Sequence, residues 1–296
     1  MANSKNKTLT QRASNSEYSL RPLIFYVALW FSLIFGLMFL ATLLFDIIST
    51  GSARLDLRIF TEFPSSSPER AGARPAILGS IWVIGTTALI TVPLGVASAI
   101  HLEEFANKKS KINRFIEINV QNLAAVPSVV YGLLALAFLS AIGVGDKNIV
   151  IAGAFALSLL ILPVVIISTR EALRAVPVEI RMGSLALGAT PLQTTLRSTL
   201  PAAVPGIATG SILALSRALG EAAPLLLLGA LVFVSFDPNG FLSGYTTMPI
   251  QIFNWTGRPQ EEFHVLAAAT SVVLMGLLLM MNGLAIFIRN KFQKRY

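Results

Sequence analysis

The stretch GATPLQTTLRSTLP, residues 188–201, decides how this chain is organised. A helix-stop signal is followed at once by a helix-start signal. Gly188 suits the left-handed conformation that ends helices. Thr190, Pro191 and Gln193 read as N-cap, first-turn proline and the reciprocal partner of a capping box. Upstream, Pro177 can open a helix at its first position, and Pro201 is expected to break or kink the chain. Residues 168–201 thus read as two short helices hinged at Gly188 and Ala189. A pair so rich in alanine, leucine and small residues cannot be solvated on both sides. It rests on the membrane and the chain's own spans, or it meets a partner.

Outward from this segment the sequence is a series of apolar runs. The 296 residues are 54% hydrophobic and 13% charged, against about 25% charged in a soluble domain. Crossing the hydrocarbon core takes about 20 apolar residues, and six runs qualify: 23–48, 77–100, 123–142, 149–167, 202–234 and 265–288. Backbone groups in lipid must bond within their own segment, so these runs predict helices. The expected fold is an all-α integral membrane protein with six transmembrane helices. Its parts are a loosely ordered leader (1–22), a first span (23–48) with an external loop (49–76), a core of five spans (77–288) containing the loop 168–201, and a tail (289–296). The first run is too long for a cleavable signal, and no small-residue cleavage site follows it.

Basic residues set the orientation. Sixteen lysines and arginines fall in the leader, the loops after spans two and four, and the tail; six fall in the opposite loops. The positive-inside rule puts both termini in the cytoplasm. The net charge of +8 is therefore read as basic cytoplasmic loops rather than a nucleic-acid surface. With no cysteine and only His101 and His264, both near span ends, the sequence offers no disulfide, no thiolate and no histidine-built metal site. No P-loop pattern occurs, so no cofactor is expected on this chain. Glu103 and Glu104, beside Lys108 and Lys109, read as a solvated loop.

One arginine remains, inside SRALGEAAPLLLLG, residues 216–229. A charge at the centre of a spanning helix costs about 2.5–3.5 kcal/mol. Arg217 and Glu221 are four apart, on one helical face where they can neutralise each other. They either lock packing or line a path at the interface with another subunit. The guanidinium fork suits an oxyanion, while Glu221 repels one, a combination that fits weak passage better than tight binding. Pro205, Gly206, Gly210, Gly220 and Pro224 allow either bending or close packing of this span.

Gly188, Ser198-Thr199 and Leu200-Pro201 resemble the cytoplasmic loop of ABC-importer permeases. In that family the loop begins Glu-Ala-Ala, and here Met182, Gly183 and Ser184 stand at those positions. Glu179, one turn earlier, could replace the missing carboxylate. Further stretches extend the likeness: GVASAIHLEEFA (95–106), LAAVPSVVYGLLAL (123–136), TREALRAVP (169–177), the Arg217 segment and MPIQIFNWTGRPQEEF (248–263). Together they are similar to the PstA-type permease of the bacterial phosphate-specific ABC importer. The resemblance implies a type I importer (MetI-like) architecture in the bacterial cytoplasmic membrane. It also implies a PstC-type second permease, a PstB-type ATPase dimer carrying ATP and Mg, and a periplasmic PstS-type phosphate-binding protein. The segment 182–201 would couple to the ATPase, and this chain would have no active site of its own. From residue chemistry alone, another oxyanion remains open, as does a secondary transporter with Arg217 and Glu221 as an ion-coupled site. Internal inverted repeats would favour the latter, and none is visible.

Overall fold

The computed structural model describes residues 20–107, 109–230 and 233–292. The leader up to residue 19, Lys108 and the last four residues lie outside the described residues. Two compact units divide the chain, 1–47 and 48–296. The first holds most of α1 (Leu20–Ser52), a helix apolar on every side. The second contains α2 (Arg58–Thr61), α3 (Arg74–Ile100), α4 (Lys111–Leu123), α5 (Ser128–Ala141), α6 (Val150–Arg174), α7 (Val178–Ala186), α8 (Pro191–Thr194), α9 (Leu200–Leu219), α10 (Ala223–Leu227), α11 (Met248–Thr256) and α12 (Glu261–Phe292). The described residues form no strand, only an isolated bridge between Ile149 and Gly244.

At the centre stands α6, packed against α3, α5 and α9, with α12 on the far side of α9. In lipid there is little hydrophobic drive between helices, so close approach at small residues holds them together. A Cβ on Gly206 would come 2.8 Å from Ala172 Cβ, and one on Gly210 would come 2.6 Å from Ser168. These glycines serve close packing. The two contacts also set an antiparallel register in which Arg217 is level with Ile161. Ala214, Leu215 and Ala218 accordingly share a core with Leu157, Leu160 and Ile161. Ile161 is near the middle of the 25-residue α6, a helix of about 37 Å. Arg217 therefore lies at the mid-depth of the bundle.

Three expectations are corrected. The run 123–142 is not one straight span: α4 and α5 are separate helices meeting at 111°, so five helices among the described residues are long and apolar enough to cross by themselves, and a sixth crossing requires the bent pair taken together. Pro127 caps α5 and Tyr131 Oη donates to the Leu123 carbonyl at 2.6 Å, fixing the corner. The apolar run 202–234 is not one helix: α9 stops at Leu219 and the chain turns back through α10. Finally, of the break or kink expected at Pro201, the break does not occur. Helix continues from Pro191 to Leu219 through a π turn at Thr195–Thr199. A proline lacks an N–H and crowds the carbonyl four residues back; the wider π turn just before it relieves that crowding. A second π turn, His101–Phe105, extends α3.

The segment before α11 binds the N-terminal parts of α3 and α6. Ser243 and Phe241 carbonyls accept from the Val150 and Ile151 N–H groups at 3.0 and 2.9 Å, capping α6. The Met248 N–H donates to Ser80 Oγ at 2.9 Å. A Cβ on Gly79 would fall inside the Thr246 carbonyl, whereas one on Gly85 meets open space. Gly79→Ala should therefore destabilise the protein by about 1–3 kcal/mol, read as reduced thermal stability of the detergent-purified chain. Gly85→Ala should leave stability unchanged.

Candidate functional site

The segment 178–201 is built as a capped hinge. Pro177 is the N-cap of α7 rather than its first helical residue, one position later than expected. At the other end Gly188 has φ +83°. Its N–H donates to Leu185 O at 2.9 Å, and the Ala189 N–H donates to Ser184 O at 3.3 Å. That pair is a Schellman motif, the left-handed stop read from the sequence. Thr190 then starts α8: its Oγ1 accepts from the Gln193 N–H at 3.2 Å, and Gln193 Oε1 accepts from the Thr190 N–H at 2.9 Å. A hydrogen bond of 3.0 Å between the Ser184 and Thr194 hydroxyls ties the two helices together.

The hinge presents apolar side chains outward. Val178, Met182, Leu185, Leu192 and Leu196 are exposed, and Leu187 is 90% exposed. Glu179 and Gly183 are exposed with them, and so is Pro201. Leu200 instead packs inward against the cluster of Leu173, Val176, Ala203 and Ile207.

Beneath the hinge is an ion-pair network that charge spacing did not reveal. Glu103 and Glu104 are not a solvated loop. Glu103 is buried and holds Arg170 at 3.2 Å and Arg174 at 3.0 Å. Arg170 also binds Glu117 of α4 at 2.7 Å. The hydrogen bond from Arg170 is the main reason that the Glu117 carboxyl is held below its ordinary pKa, against the opposing pull of burial. On α7, Arg181 pairs with Glu104 at 2.8 Å and donates to the Leu173 carbonyl at 2.7 Å. The signal that could have revealed this is the helical continuation of α3 through residue 105, which places both glutamates on an ordered turn.

Arg217 and Glu221 pair at i,i+4, although the helix ends between them. Arg217 is in the last turn of α9, Gly220 is its C-cap, and Glu221 lies past the end. Their closest approach, Nε to Oε1, is 4.0 Å, with the arginine side chain 54% exposed and the glutamate 20%. The negative end of the α9 dipole offsets part of the cost of a cation at this depth. Glu221 enters a small cleft with Ser80, Leu225 and Thr247, and Thr247 Oγ1 is buried there without a hydrogen-bond partner. Interrupted backbone at such depth is tolerated where protein buries it or a water-filled cavity meets it. Here α10 packs on α5, with Pro224 against Gly132. Among the described residues no cluster of side chains could hold a metal ion.

Residues 91–294 match the family described as binding-protein-dependent transport system inner membrane component. The chain is 32% identical to the phosphate transport system permease protein PstA of Haemophilus influenzae, over 90% of this chain and 92% of that one. It is 33% identical to the PstA protein of Yersinia pestis, over 88% of each. A probable ABC transporter permease of Bacillus subtilis, YqgI, is 34% identical over 74% of this chain and 72% of its own. Among solved structures, a bacterial alginate ABC transporter gives a TM-score of 0.64 at 16% identity, covering 93% of this chain and 96% of that one. The MetNI methionine ABC transporter gives 0.57 at 19%, covering 78% and 100%. At these identities the structures speak to the fold alone.

Removing the capping box should loosen the start of α8 without unfolding the bundle. Thr190→Ala is expected to cost about 1 kcal/mol locally. The readout is faster amide hydrogen exchange at residues 192–194, with α6 unchanged.

Proposed function

Because this chain belongs to the binding-protein-dependent transport system inner membrane components, and among them to the PstA-type permeases, we propose that it moves inorganic phosphate into the cytoplasm as one permease of an ATP-driven importer. The observation that carries this reading is the likeness to phosphate permeases, about a third identical over nine-tenths of the chain. In it, a PstC-type permease completes the membrane channel, a PstB-type ATPase dimer holds ATP and Mg, and a periplasmic PstS-type protein delivers phosphate. This chain binds no cofactor and carries out no covalent chemistry. Both termini face the cytoplasm, in keeping with the bias of basic residues.

The hinge is the coupling element. Its exposed Val178, Met182, Leu185 and Leu192 form an apolar surface that water disfavours and a groove in the ATPase would cover. Glu179, exposed in the first turn of α7, supplies the carboxylate that Met182 does not. Gly183 and Ser184 keep the docking helix slim, and Gly188, Ala189 and Thr190 set the angle to α8. Leu200 and Pro201 carry the movement into α9.

Arg217 is the pathway cation. A packing lock would bury both charges in tight contact; the 4.0 Å separation and the 54% exposure of the Arg217 side chain support the pathway reading instead. Glu221 beside it keeps residence short. The double variant Arg217→Gln with Glu221→Gln removes the fork while leaving net charge balanced. Membrane abundance should stay near normal, with phosphate uptake by vesicles bearing the whole assembly reduced at least about tenfold, the loss of roughly one charge-assisted contact. Full uptake by this variant would leave packing as the role of the pair.

A further inference from the structure

The helix between the second and third spans faces away from the bundle with its apolar side. In α4, Ile112, Phe115, Ile116 and Leu123 recur at helical spacing, yet Ile112 is 71% and Phe115 67% exposed. The opposite side is engaged: Glu117 binds Arg170 at 2.7 Å and Arg174 at 3.5 Å on the end of α6. An amphipathic helix docked by its polar side and open on its apolar side is inverted relative to a soluble protein, and needs an apolar medium outside.

Depth and direction identify that medium. Ile161 marks the middle of the bundle, and Arg170 is nine residues further along α6, about 13 Å, close to the edge of a hydrocarbon core about 30 Å thick. The 111° corner with α5 turns α4 across the spans, within about 20° of the membrane plane if α5 follows the normal. Lys109, Lys111 and Arg114 are exposed at this level and form no ion pair among the described residues, while Glu103, Glu104 and Glu117 are all occupied within the network. Unspent positive charge beside an outward apolar stripe is the composition of an interfacial helix on anionic lipid.

We propose that α4 is a membrane-surface anchor: its apolar side enters the acyl boundary of the cytoplasmic leaflet, and Lys109, Lys111 and Arg114 bind anionic headgroups. The anchor holds Glu117, and through it Arg170 and Arg174, at a fixed depth beside the hinge. This assignment depends on the membrane orientation of the spans and not on phosphate as the substrate.

The test uses the full chain with its copurifying subunits in nanodiscs of phosphatidylcholine, with or without phosphatidylglycerol. Ile112→Cys, Phe115→Cys and Gln121→Cys are introduced singly into this cysteine-free sequence and spin-labelled. All three positions are exposed, so substitution leaves internal packing intact. Collision rates with oxygen and with a water-soluble nickel chelate are compared by power saturation. Labels at 112 and 115 should favour oxygen severalfold, the label at 121 should favour nickel, and phosphatidylglycerol should deepen the first two. Adding Lys109→Gln, Lys111→Gln and Arg114→Gln together should abolish that deepening. Labels at 112 and 115 shielded from both reagents would mean that another protein covers the face, and labels favouring nickel would mean that it stands in water. Either result overturns the proposal, and an unchanged response in the triple variant overturns the headgroup assignment.

Discussion

A helix that crosses from water into hydrocarbon cannot leave backbone groups unpaired, and this constraint governs α8 and α9. Both ends of the combined helix are settled, by the capping box at Thr190 and by Gly220 at the C-cap. Pro201 would open a gap between them, and the π turn at 195–199 closes it. What results is one rod of about 40 Å, its foot in the hinge and its tip, with Arg217, at mid-depth of the bundle. The proposed coupling surface and the proposed pathway cation are thereby two ends of one element.

The same constraint explains why the rod stops where it does. Past Leu219 the chain leaves helical geometry at mid-depth, which is tolerable because α10 is packed on α5 and Glu221 lies in a protein-lined cleft. The interruption puts the dipole's negative end beside Arg217. A continuous span would have placed both charges on one face and paired them tightly. Stopping the helix between them leaves the pair at 4.0 Å with the Arg217 side chain 54% exposed. At the C-terminal end of α6 the opposite solution appears: Glu103 and Glu117 clasp Arg170 and Arg174, joining α3, α4 and α6 into a base on which α7 is pinned by Arg181.

Local chemistry was legible in the sequence, and long-range partners were not. The stop at Gly188 and the cap at Thr190 form as read because each depends on residues within five positions. The apolar runs locate the spans, since hydropathy reports what must face lipid or protein. They do not report where a helix turns: the corner at Pro127 and the end at Leu219 both lie inside runs long and apolar enough to read as single spans. Glu103 and Glu104 were misread because their partners are 67 to 77 residues away. The spacing of Arg217 and Glu221 carries their i,i+4 pairing, while the helix end between them has no signal in that spacing.

Whether the rod moves as a unit is measured most directly by distances between spin labels at Leu192→Cys and Leu213→Cys, both exposed positions on it. Their separation, about 30 Å from helical rise, is compared in the nucleotide-free and ATP-trapped importer, alongside the distance from 213 to a label at Leu134→Cys on α5. The expected result is an unchanged 192–213 distance with a shifted 213–134 distance. A 192–213 distance that shortens or broadens on trapping ATP would mean that the helix yields at the π turn, and would contradict mechanical continuity between the hinge and Arg217.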